Sequence, residues 1–158
     1  MRRKWGLVFT LAVLGGAALH FLYDVWPNPL TAVLAPVNES VWEHLKLLYW
    51  PMLAAALVLA RGPRRIAVWA GFFPAIVLQP VFLLALYYGL RALGVQGLAV
   101  DLTLYVLTMA GGFLLAARLS RSGPARRLTG VSLLAVMLYG AALVLFTFAA
   151  PPLGIFRS

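Results

Sequence analysis

The sequence predicts an all-α polytopic membrane protein, a bundle of five transmembrane helices with the N-terminus inside and the C-terminus outside. Three observations predict it. The chain has 158 residues, of which 63% are hydrophobic, and its mean hydropathy is +0.94; a soluble domain of this size needs more polar surface than that. Five apolar segments are long enough to cross a bilayer, which takes about 20 helical residues. The arginines gather in alternate links between those segments. A transmembrane barrel would instead show alternating segments of about 10 residues, and these do not alternate.

The first segment is Trp5–Trp26, preceded by Arg2, Arg3 and Lys4. Its opening, MRRKWGLVFTLAVLGGAA, has the basic start, apolar run and small residues of a secretory signal peptide. The apolar run continues through LHFLYDVW, so an uncleaved first helix is expected. The link that follows, PNPLTAVLAPV, is apolar for an exposed loop. It is expected to lie in the interface or to fold back as a short re-entrant cap, tolerated only where protein or water satisfies its backbone.

The second segment, Ser40–Ala60, opens on the S-x-x-E spacing of a capping box, Ser40 to Glu43, with Asn38 as an alternative cap. Arg61, Arg64 and Arg65 fill the link to the third segment, Ile66–Leu90. Pro51, Pro74 and Pro80 each free a backbone carbonyl inside a helix. ALGVQG leads to the fourth segment, Leu98–Leu119, and Arg118, Arg121, Arg126 and Arg127 fill the link to the fifth, Leu128–Ala149. The other side carries only Arg91 and Arg157, which sets the orientation. One transmembrane domain over residues 1–158 is expected. The net charge of +9 does not point to nucleic acid, because the basic residues sit in short links between apolar runs. Cysteine is absent, which excludes disulfides and thiolate metal sites.

The scarce polar residues carry the functional reading. The acids are Asp24, Glu39, Glu43 and Asp101, and the histidines are His20 and His44. With the first helix running outward and the second and fourth inward, all of them reach one layer near the outer face, His20 about 9 Å below Trp26. Ionisable groups at membrane depth are costly and normally face the bundle interior. His20 and Asp24 are four residues apart, as are Ser40 and His44, and Glu39 and Glu43. Gly16 and Ala12 continue the His20 stripe and predict a close helix contact beneath it. Asp101, Tyr105, Thr108 and Gly112 form a polar stripe on the fourth helix.

Ordinary structural roles compete for several of these residues. Ser40 and Glu43 serve as a helix cap. Lys46 snorkels to the outer face or pairs with Glu43, and Asp101 suits a helix N-terminus. His20 and Asp24 have no such role, since an acid near a helix C-terminus opposes the dipole.

HFLYDVW followed by PVNESVWEHLKLLYWP resembles the hallmark of an uncharacterised family of small bacterial integral membrane proteins, the DUF6512 type. The likeness rests on His20, Tyr23, Asn38, Glu39, Ser40, Trp42, Glu43, His44, Lys46 and Pro51, with Asp101 opening the fourth helix. The resemblance implies a shared membrane fold in the bacterial cytoplasmic membrane and no established activity.

Two imidazoles and neighbouring carboxylates suit Zn²⁺ or a similar divalent metal with water in an open position. The expected ligands are His20, Asp24 and His44, with Glu39 as fourth ligand or general base; Glu39, His44 and Glu43 are the candidate catalytic groups. Without metal, His44 and Glu39 can still shuttle a proton. Asn38 and Lys46 are placed to hold a phosphate or carbonyl, and Tyr23, Asp101 and Tyr105 to line the same pocket. The matching function is a hydrolase or transferase acting on a lipid or lipid-linked molecule. The alternatives are a proton- or ion-coupled transporter or its subunit, and a ligand-, haem- or partner-binding membrane protein with the two histidines as axial ligands.

Overall fold

The computed structural model describes residues 2–156, with Arg2 described in backbone only. Arg157, one of the two arginines expected on the outer side, lies outside the described residues, as does the Arg2 side chain. The described residues are helical and contain no strand. In order they form α1 (Arg2–His20), α2 (Leu22–Val25), α3 (Pro29–Leu34), α4 (Val41–His44), α5 (Lys46–Leu59), α6 (Arg65–Ala92), α7 (Leu98–Leu119), α8 (Gly123–Arg127) and α9 (Thr129–Phe148), with 3-10 turns at Gly62–Arg64 and Gly154–Phe156. Three stretches, Gly62–Ala92, Leu98–Leu119 and Thr129–Phe148, are long and apolar enough to cross a membrane. Helix α1 has 19 residues and α5 has 14.

Helix α6 is the hub. It packs along α7 and against α5 and α9, while α1 lies on α5 and touches α7. Phe72, Ile76, Met52, Met109 and Leu143 fill the space between them. The predicted contact beneath His20 is present. Pro51 cannot donate to the Leu47 carbonyl one turn back, and that carbonyl faces Gly16. A methyl group added to Gly16 would come within 2.8 Å of the Leu47 oxygen and 3.1 Å of the Pro51 ring. The Tyr105 hydroxyl donates to the Val13 carbonyl at 2.9 Å in the same place, tying α7 to α1.

Two of the expected helices are broken. The first stops at His20, because the Phe21 N–H turns to the Ala18 carbonyl at 3.2 Å, a tightened final turn. The second starts at Val41 and tightens again at Leu45, whose N–H reaches the Trp42 carbonyl at 3.1 Å.

The link between these helices folds back, as one of its two expected forms. Asn28 caps α3, accepting from the Leu30 and Thr31 N–H groups at 2.9 and 3.1 Å. The carbonyls at the other end of α3, left without helical partners, meet side chains of α5. Lys46 donates to Ala32 and Ala35 at 2.6 and 3.1 Å, and the Trp50 indole donates to Val33 at 3.0 Å. Protein therefore satisfies the folded-back backbone, the condition such a segment must meet.

Candidate metal centre

The residues before α4 set one wall of the site. Asn38 Oδ1 accepts the Ser40 N–H at 2.9 Å, an Asx turn that shapes the loop carrying Glu39. Ser40 then caps α4, its hydroxyl accepting the Glu43 N–H at 3.3 Å. One turn on, His44 places Nδ1 at 2.8 Å from the Ser40 carbonyl. A carbonyl only accepts, so Nδ1 carries a proton, and Nε2 is the ring atom left to face the site.

That nitrogen points at Glu39, 3.4 Å from Oε2, and His20 from the end of α1 brings its own Nε2 to 4.0 Å from Oε1. The two imidazoles are 5.1 Å apart at their centroids. One ligand atom from each of His20, Glu39 and His44 lies within 4.8 Å of the others, so the group can hold a metal ion. Ligands about 2.0 Å from a tetrahedral ion stand about 3.3 Å apart, so small side-chain adjustments close the set. The Glu39 side chain is 74% exposed, which leaves one side of the centre open. His20 Nδ1 is buried with no hydrogen-bond partner among the described residues.

Asp24 does not join them. The tight turn at Phe21 interrupts the helical register, and Asp24 sits exposed on α2 with no ion pair or hydrogen bond among the described residues. Its placement four residues after His20 assumes a continuous helix, which ends at His20.

Glu43 and Lys46 form a separate, closed network. Both are buried, at 2% and 0% exposure, so Lys46 does not snorkel to the surface. The Lys46 ammonium is 2.6 Å from Glu43 Oε2, and its other two protons go to the α3 carbonyls. Glu43 Oε2 also accepts the Val37 N–H at 3.0 Å, and Oε1 lies 3.0 Å from the Thr147 hydroxyl of α9, whose single proton it shares with the Leu143 carbonyl at 2.8 Å. The capping box is thus half formed: Ser40 caps, but the Glu43 carboxylate turns to Lys46 and the Ser40 N–H goes to Asn38. Thr147 and Trp50 were not among the sequence candidates. Thr147 could have been found as the polar residue near the C-terminal end of the last segment, the end that the sequence reading places in one layer with the other polar residues.

The remaining candidates lie apart from the three ligands. Tyr105 is committed to the Val13 carbonyl. Asp101 stands in the first turn of α7, where the helix dipole favours an acid, and its side chain makes no hydrogen bond or ion pair among the described residues. Tyr23 is partly exposed on α2, and Asn38 is exposed.

Together these features define an all-helical protein with three helices fit to cross a membrane and a two-histidine, one-carboxylate group able to hold an ion. The chain belongs to a family of unknown function, DUF6512, whose model matches residues 1–158. No relative was found among curated proteins or solved structures.

Proposed function

We propose that this chain is a five-span membrane protein carrying a divalent-metal centre on His20, Glu39 and His44 near the outer face. The centre activates water for hydrolysis or group transfer on a lipid or lipid-linked substrate. The observation that carries this reading is the contrast between two polar clusters a few residues apart. Glu43 and Lys46 spend their capacity on protein partners. His20, Glu39 and His44 instead converge with both Nε2 atoms and an exposed carboxylate still available. The Ser40 carbonyl supports the His44 tautomer as outer-shell acceptors support metal-bound histidines elsewhere. Three protein ligands leave a position for water, whose proton a bound divalent ion makes easier to lose. The mixed nitrogen and carboxylate donors favour such an ion over haem.

Metal analysis of the purified protein, with Co²⁺ as a spectroscopic probe, tests the reading. One ion per chain is expected, with His20→Ala and His44→Ala each weakening binding at least about tenfold and Asp24→Asn leaving it unchanged. Binding should weaken on acidification, because protons compete for the two ring nitrogens. A His44→Ala protein that keeps the wild-type ion content would sink the assignment.

A further inference from the structure

A second cleft lies at the opposite end of the bundle from the histidines. It encloses about 840 Å³ between the start of α1, the α5–α6 turn and the end of α7. Its walls are apolar: Trp5 and Phe9 of α1, Val68 of α6, and Phe113 and Leu114 of α7. Trp5 and Phe113 of the lining are in ring contact with each other and with the buried Phe72 behind them. Arg61, Arg64, Arg121 and Arg126 stand along the rim together with Ser120, and no acidic side chain lines the cleft. The chain's four acids all lie elsewhere, on α2, in the α3–α4 loop, on α4 and in the first turn of α7.

Arginines in membrane-protein links are ordinary as topology signals. Topology alone does not require a built apolar cavity beneath them. Guanidinium groups pair with phosphate through two parallel hydrogen bonds, and basic pockets between membrane helices take anionic headgroups. The volume suits a lipid-sized segment. We propose that this cleft is a binding site for an anionic phospholipid, with its phosphate at Arg61, Arg121 and Arg126 and an acyl chain against Trp5, Phe9 and Phe113. The site is independent of the histidine centre and can stand or fail without it.

The test uses the full chain in neutral detergent and phosphatidylglycerol with brominated acyl chains, which quench nearby tryptophan. The Trp5 share is obtained by difference from Trp5→Phe. Half-quenching is expected at about tenfold lower concentration for phosphatidylglycerol than for brominated phosphatidylcholine. Arg121→Gln combined with Arg126→Gln should reduce that preference to less than about twofold, while Arg61, Arg64 and Arg65 keep the charge bias that orients the chain. Gly6 lines the cleft, and a side chain added there meets nothing within 4 Å. Gly6→Phe therefore fills the acyl seat with every arginine in place and should abolish Trp5 quenching. It decides the matter should the double variant misfold. Equal quenching by the two lipids, an unchanged preference in the arginine variant, or full displacement by inorganic phosphate overturns the proposal.

Discussion

Lys46 shows how a residue's neighbours override its habits. On an isolated helix its stem would run toward the surface and release the charge to water. Here α3 folds back over it, and its three protons meet two carbonyls and the Glu43 carboxylate. Removing one member of a buried pair is costly because the other charge stays behind, about 3–5 kcal/mol. Lys46→Met should therefore lower the thermal midpoint sharply in detergent. Adding Glu43→Gln to it should restore a large part, since both charges are then gone. A Lys46→Met protein as stable as wild type would show that the pair is not buried as described. The same comparison explains what the sequence could convey. His20, Glu39 and His44 stood out because imidazoles and acids are rare in so apolar a chain. The sequence also kept Asp24 among them, and it offered Lys46 to a ligand, to the surface and to Glu43, of which the structure shows the Glu43 pairing. Spacing presumes an unbroken helix and an uncovered helix face, and Phe21 and α3 remove those two conditions.

At the scale of the helix, the contact of α1 with α5 fixes where His20 ends up. Gly16 lets the two backbones approach at the carbonyl that Pro51 releases. Gly16→Leu must push against backbone and a proline ring, an overpacking that costs about 1–3 kcal/mol. It should lower the thermal midpoint and weaken Co²⁺ binding together, because it displaces the helix that ends in His20. Gly15→Leu is the control, since a side chain there meets nothing within 4 Å. Equal effects from the two substitutions would remove the contact from the account. The small-residue stripe was legible from Ala12 and Gly16 alone. The helix ends were not: the tight turns at Phe21 and Leu45 flank the folded-back segment and carry no Gly or Pro to mark them locally.

For the whole molecule, α6 organises the packing, and three helices have the length and hydropathy to cross a membrane unaided. The proposed topology adds α1 and the α4–α5 pair as further spans, which places the two chain ends on opposite sides. A C-terminal reporter active only outside the cytoplasm is expected to be active, and one that works only inside should stay silent. The reverse result would require an even number of crossings or the inverted orientation. The arginine asymmetry was readable at this scale because it follows the order of the links. The closed network between α4, α5 and α9 was not, because it joins residues distant in the chain.

That distance has a consequence for biogenesis. Thr147 is separated by 104 positions from the carboxylate it binds. Chains emerge N-terminal part first, so Glu43 and Lys46 are made long before their last partner. During that interval one oxygen of the buried carboxylate lacks the Thr147 hydroxyl. The final helix thus does more than close the bundle: its arrival supplies the last protein contact of a carboxylate made 104 positions earlier, and a chain halted before α9 lacks that contact.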